Sequence, residues 1–233
     1  VCEAMRLPVL EYQGYEADDV IGALARQGAA KKLEVVIVTS DKDMLQLVGG
    51  GGPGEGPAGS AGRELGGTIR VLRPGSGGAK ADVWVDPAKV EEILGVPPEK
   101  VVDVMALMGD AIDNIPGAKG IGEKGARELI QRFGSAEAAL ENAAKVEGKR
   151  YREALETQRE MVLLSKQLAT IATDVPVELD LAALARQEPD VEALRTLYAE
   201  LGFSSLLKEL APAANASAAP ADSAKLESAA ARA

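Results

Sequence analysis

Leu33-Glu34-Val35-Val36-Ile37-Val38-Thr39-Ser40-Asp41-Lys42-Asp43-Met44 decides the fold class. A run of β-branched residues of this kind reads as a buried parallel strand. It stops at a polar turn, and a short helix is predicted over 44–48. Strand, polar turn and helix form the α/β pattern whose ligands gather at the carboxyl ends of strands. Upstream, 16–30 reads as a helix, with Ala17, Val20, Ile21 and Leu24 at helical spacing. Residues 7–13 read as a short strand and turn. Downstream, 49–67 holds 10 glycines and reads as a flexible insertion. Strands resume over 68–72 and 81–85.

From Pro87 the character becomes helical, with helices expected at 87–94, 98–109, 123–133, 135–143, 148–170 and 190–201. Residues 211–233 are Ala, Ser and Pro with scattered charge, which reads as a linker. The expected domains are an α/β core over 1–85, a helical subdomain over 86–210 and the linker over 211–233.

Composition narrows the chemistry. The chain has no histidine, which removes His-based acid–base catalysis, Ser-His-Asp triads and His-ligated zinc. One cysteine, Cys2, excludes an internal disulfide framework and fits a reducing compartment. Aromatics are 3%, too few for a base-stacking single-strand platform. No apolar run has the length of a membrane span, and no signal peptide precedes the first motif. The chain begins with Val in what reads as mid-domain, so a fragment is expected. The net charge is −10, yet between Gly117 and Arg152 eight Lys and Arg face five Asp and Glu. The basic excess is local, as a nucleic-acid contact requires.

Carboxylates fall in three clusters: Glu16, Asp18 and Asp19; Asp41 and Asp43; Asp110 and Asp113. Each alone has a plain structural reading. Acids at a helix start complement the macrodipole, Asp41 can cap the next helix, and Asp113-Asn114 is a turn former. Together, at a strand end, a helix start and a helix–turn junction, they fit a site for two Mg²⁺ or Mn²⁺ ions. Two such ions about 4 Å apart activate a water and stabilise the leaving oxygen of a phosphodiester.

The last cluster runs into Gly117-Ala118-Lys119-Gly120-Ile121-Gly122-Glu123-Lys124, which reads as a helix-hairpin-helix. Ile121 is expected to pack between helices. Gly120 and Gly122 allow a phosphate to approach the backbone, and Lys119, Lys124 and Arg127 supply positive charge. Such a motif grips the duplex backbone without reading sequence.

Tyr15 to Val20, Thr39 to Leu47 and Gly109 to Lys124 are, in order and spacing, similar to the 5′ nuclease or flap endonuclease family, as in the 5′-3′ exonuclease domain of bacterial DNA polymerase I. The resemblance covers about residues 5–210. It implies the C-terminal part of a PIN-like (resolvase-like) parallel-sheet core followed by a helical helix-hairpin-helix subdomain. It implies a metal-dependent nuclease acting at a 5′ flap, nick or end of duplex DNA, for primer removal and excision repair. By motif, all seven carboxylates serve two metal ions, and Lys119, Gly120, Ile121, Gly122, Lys124 and Arg127 meet DNA, with K⁺ at the hairpin. A bacterial cytoplasmic monomer, joined covalently to downstream polymerase domains, is implied as well. The family's N-terminal strand and helical arch are expected upstream of Val1, which leaves the activity of this stretch alone in question. Gly125 stands where the family commonly has threonine. The competing function is a helix-hairpin-helix module that holds duplex DNA without cutting it; seven acids beside a phosphate backbone argue against that.

Overall fold

The computed structural model describes residues 1–50, 67–75 and 81–210. Most of the glycine-rich 49–67 stretch and the 211–233 tail therefore lie outside the described residues. The described chain divides into two compact units, Glu11–Leu179 and a smaller one built from Val1–Leu10 with the described residues from Asp180 onward.

In the larger unit, α1 (Ala17–Ala30) buries Ala25 and Ala29 in the main core and Val20 and Ala23 in a smaller cluster with Val175. It leads to β1 (Glu34–Val38), a 3₁₀ turn at Asp43–Leu47 and the two-residue β2 (Gly49–Gly50). β3 (Thr68–Arg73) pairs in parallel with β1, with Glu34 opposite Thr68 and Val38 opposite Leu72. β2 and β4 (Val83–Val85) both pair antiparallel with β3. The sheet is thus mixed rather than wholly parallel. β1 is its edge among the described residues, and it is not the fully buried strand expected. Ile37 is buried, whereas Val36 and Val38 are 38% and 63% exposed. The side chains alternate across a strand, and here only one face of the sheet is covered. On the other face Arg70 pairs with Glu34 and lies 4.6 Å over the Trp84 ring.

The helical part follows without a break in packing. α2 (Pro87–Leu94) starts on an Asp86 cap, with Lys89 N–H donating to Oδ1 at 2.8 Å, and ends on left-handed Gly95. After a 3₁₀ turn at Pro98–Lys100, α3 (Val101–Met108) buries Val101, Val104, Met105, Ala106 and Leu107, so it is enclosed nearly all round. α4 (Glu123–Phe133), α5 (Ala136–Glu141) and α7 (Arg159–Ala169) pack around it, and α6 (Lys149–Thr157) packs on α5. One apolar core runs from Ala25 to Ala169 and takes in Ile69, Val85, Val90 and Val104. The expected boundary at 85/86 is therefore not a gap in the core, because α2 packs on β4 and α3 on the 3₁₀ turn after β1.

Three differences from the sequence expectations have local causes. Residues 7–13 form turns and irregular backbone rather than a strand; Pro8 lacks a ladder donor and Val9 is 73% exposed. The helix expected over 148–170 is two helices, broken at Gln158 with φ −122° and ψ 27°. Its side chain there accepts from Lys119 N–H at 2.8 Å and donates to the Lys119 carbonyl at 3.2 Å. The region expected to be helical over 98–109 opens as a 3₁₀ turn.

The smaller unit holds α8 (Val191–Glu200) and α9 (Ser204–Glu209). Ala4, Leu194 and Tyr198 form its core, and Asp190 N–H donates to the Ala4 carbonyl at 2.8 Å. No described helix is long and apolar enough to cross a membrane.

Asp103, 4% exposed in the first turn of α3, ties three helices. Its Oδ1 accepts from Lys166 Nζ of α7 at 2.6 Å and from Ala136 N–H at the start of α5 at 3.1 Å. Lys166 also reaches Glu137 Oε2 at 2.8 Å. Burial pushes the Lys166 ammonium down, but its hydrogen bonds to Asp103 and Glu137 outweigh this and hold it above its usual range.

Candidate metal centre and hairpin

Asp43, Asp110 and Asp113 each bring a carboxylate oxygen within 4.8 Å of the others. They come from two separate places in the sequence. Asp43 opens the 3₁₀ turn after β1, where Met44, Leu45 and Leu47 anchor it in the core. Its backbone N–H donates to Asp41 Oδ1 at 2.9 Å, and Asp41 N–H donates to Thr39 Oγ1 at 3.0 Å. Asp41 thereby shapes the turn and stands beside the trio.

Asp110 and Asp113 sit on a pinched loop. Asp110 and Ile115 exchange both backbone hydrogen bonds, at 2.8 and 2.7 Å. Asn114 takes the left-handed conformation at φ 59°, which asparagine tolerates better than most residues. Asp110 Oδ1 accepts from Ile112 N–H at 2.8 Å. Below the loop, Gly109 and Gly117 meet backbone to backbone. A Cβ on Gly117, at φ +61°, would stand 2.4 Å from Gly109 N. Gly117 N–H donates to the buried Ser165 Oγ of α7 at 2.9 Å, and that hydroxyl donates to the Met161 carbonyl.

Gly117→Ala is therefore expected to lower stability by about 2–5 kcal/mol, combining a left-handed penalty of roughly 1–2 with overpacking of roughly 1–3. It should also weaken Mn²⁺ binding. Urea unfolding and Mn²⁺ titration check this; an unchanged midpoint would remove the clasp from the account.

The electrostatics are those of an underneutralised anionic pocket. Asp43 is 8% exposed, and burial, then Asp41, Asp113 and Asp110, push its carboxyl up to about 7. Asp18 is raised by burial and then by Asp41, Glu16, Asp113 and Asp19, so α1 presents it to the same field. Asp113 is raised by desolvation and by Asp110 and Asp41. Asp110 runs the other way. Burial pushes it up, but Lys42 and the Ile112 N–H outweigh that and hold it below its usual range. The Lys42 ammonium stands 2.5 Å from Asp110 Oδ2 and pairs with it. Asp43 Oδ1 is buried without a hydrogen bond. An unpartnered buried oxygen on Asp43, converging with the carboxylates of Asp110 and Asp113, fits a hard divalent cation of the Mg²⁺ type.

Two further acids also shape the start of α1. Asp19 Oδ1 accepts from Ala172 N–H at 2.8 Å, and Oδ2 accepts from Glu16 N–H at 3.3 Å. Glu16 is the exposed N-cap residue of α1. Lys42, Ser165 and the Gly109–Gly117 clasp were not singled out by the sequence. Only Lys42 carried a signal there, as the cation between two aspartates at a strand end.

At the hairpin, Ile121 is 3% exposed and joins the core. Gly120 has φ +105°, and a Cβ on Gly122 would meet open space. Lys124 is exposed, 3.9 Å from Glu128. Arg127 pairs with Glu123 and donates to the Ile93 carbonyl at 2.6 Å. Gly125 leaves room for Tyr151: a Cβ there would lie 2.6 Å from the Tyr151 hydroxyl oxygen. The ring occupies the space a threonine would need.

Known proteins match this arrangement. A family model for the 5′-3′ exonuclease N-terminal resolvase-like domain matches residues 1–52. One for the 5′-3′ exonuclease C-terminal SAM fold matches residues 96–192. DNA polymerase I, thermostable, of Thermus filiformis is 42% identical over 200 residues, covering 86% of this chain and 21% of the relative. DNA polymerase I of Bacillus caldotenax is 39% identical over 207 residues, covering 89% of this chain and 22% of the relative. The chain thus spans about a fifth of the length of these relatives. Among solved structures, T5 5′-exonuclease with divalent metal ions (zinc) bound aligns at TM-score 0.56 and 18% identity, over 87% of this chain and 61% of that one. The catalytic core of Rad2 in complex with DNA substrate aligns at TM-score 0.57 and 17% identity, over 90% and 66%. The fold is that of these PIN-like nucleases, and with successive domain models matching at both ends of its described core, the chain belongs to the 5′-3′ exonuclease family.

Proposed function

We propose that this chain is the 5′-3′ exonuclease segment of a bacterial DNA polymerase I, hydrolysing phosphodiesters at 5′ ends, nicks or flaps of duplex DNA. The observation that carries the reading is the convergence of Asp43, Asp110 and Asp113, with a buried oxygen of Asp43 left without a partner. A buried acid held up to about 7 by its neighbours is a costly arrangement that a divalent cation relieves. When bound, Mg²⁺ or Mn²⁺ supplies a metal-activated water and charge to stabilise the leaving oxygen. Asp43, Asp110 and Asp113 would hold the first ion, with Asp41 and Asp18 nearest for a second. Glu16 and Asp19 fix the start of α1 beside them. Lys42 balances part of the carboxylate charge at Asp110.

The hairpin holds the uncut duplex through Lys119, Lys124 and the backbone of Gly120, Ile121 and Gly122, with K⁺ at the turn. The reading divides the work between the α/β core of 1–85 and the helical 86–210, with 211–233 leading to polymerase domains. It places a monomer in the bacterial cytoplasm, serving primer removal and excision repair.

Asp110→Ala in the full-length protein is expected to slow cleavage of a labelled 5′-flap duplex at least about a hundredfold, or about 2.8 kcal/mol at 1.4 per tenfold. Duplex binding should stay within about twofold. Wild-type cleavage by the variant would sink the metal assignment. Binding without cleavage by the unaltered full-length protein would leave only a duplex-holding module.

A further inference from the structure

Two arginines, one beside the glycine turn in sequence and one beside it in space, have different fates. Arg127 lies on the motif helix α4, but its guanidinium is spent inside the fold. Nη2 donates to the Ile93 carbonyl at 2.6 Å and pairs with Glu123, and Nε is buried. Only 27% of the side chain is exposed. It joins α4 to the end of α2, and a phosphate would have to break those bonds to reach it.

Arg150 has no such duty. It lies in the first turn of α6, outside the hairpin motif, and is exposed. Among the described residues it joins no ion pair and donates to no carbonyl. Its guanidinium lies across the turn. A Cβ on Gly120 would stand 2.9 Å from Arg150 Nε and 3.6 Å from one terminal nitrogen. Gly120 thus leaves room for a cation brought in from another helix. The turn beneath is fixed, because Gln158 holds both the N–H and the carbonyl of Lys119.

We propose that Arg150 is the arginine that meets a duplex-DNA phosphate at the glycine turn, and that Arg127 is a structural brace. The inference rests on the reading that the hairpin holds duplex DNA. A guanidinium suits this contact because its planar fork takes two phosphate oxygens at once. Placed over the turn, Arg150 adds to Lys119 and to the turn's backbone a third donor to one phosphate group. The contact is to backbone and carries no sequence preference.

Duplex affinity measured in EDTA over a series of salt concentrations tests this, since no cleavage then enters. Each phosphate neutralised contributes about 0.9 to the slope of log K against log salt. Arg150→Gln is expected to weaken binding equally for unrelated sequences and to lower that slope by about 0.9, with its thermal midpoint unchanged. Arg150→Lys should keep the slope, since the charge remains. Arg127→Gln should lower the thermal midpoint and leave the slope of the folded protein unaltered. An Arg150→Gln slope equal to wild type, or a slope lost on Arg127→Gln instead, overturns the assignment while duplex holding stands. Failure of the wild-type chain to bind duplex at any salt overturns both.

Discussion

In EDTA at pH 8, Asp43→Asn is expected to be more stable than the wild-type chain by on the order of 4 kcal/mol. The sign follows from linkage. Asp43 has its folded carboxyl raised from 3.8 to about 7. The folded state therefore holds the proton more tightly than the unfolded one. The cost is absent below about 3.8, grows as pH rises through the window, and is complete above about 7. About three pH units at 1.4 kcal/mol each give the size of the effect. The advantage of the variant should nearly close at pH 4. Mg²⁺ or Mn²⁺ should stabilise the wild type and leave the variant almost unmoved, because the cation neutralises the group whose charge is costly. Thermal or urea unfolding at pH 4 and pH 8, with and without metal, reads all of this. Equal stability of the two proteins at pH 8 in EDTA would mean that Asp43 is not under the strain inferred for it. Such a gain on removing an acid marks a site kept for binding rather than for folding.

Asp103→Ala should do the opposite, destabilising by about 3–5 kcal/mol, the usual cost of leaving one member of a buried pair alone. Lys166 would lose its 2.6 Å partner, and Ala136 N–H at the start of α5 would lose its acceptor. Glu137, 41% exposed, is too solvated to replace the buried charge. Replacing Asp103 and Lys166 together with Leu and Met should recover much of the loss, since a well-packed apolar pair of similar volume is often neutral. A loss below about 1 kcal/mol for Asp103→Ala would place the network among surface ion pairs of little consequence.

These two aspartates mark where sequence reading ends. Asp43 was legible because it follows a β-branched strand in a motif of known order. Asp103 has no motif; it sits in an apolar helix, and only the tertiary structure sets Lys166 from 63 positions away against it. Arg127 and Arg150 divide likewise. The sequence favoured Arg127 for its place inside the motif. Folding turns it inward to Ile93 and sets Arg150 over Gly120.

By itself, then, the sequence determined the α/β-then-helical order, because propensity and apolar spacing act over a few residues. It also marked the acids and the hairpin, because their chemistry depends on residue type at short spacing. The tertiary structure alone decided three things. It left one sheet face of β1 exposed, because burial depends on what packs against a strand. It joined Asp43 to Asp110 and Asp113, because pKa and metal geometry depend on distance in space. It closed the Gly109–Gly117 clasp on Ser165, because close backbone approach is a property of the packed chain.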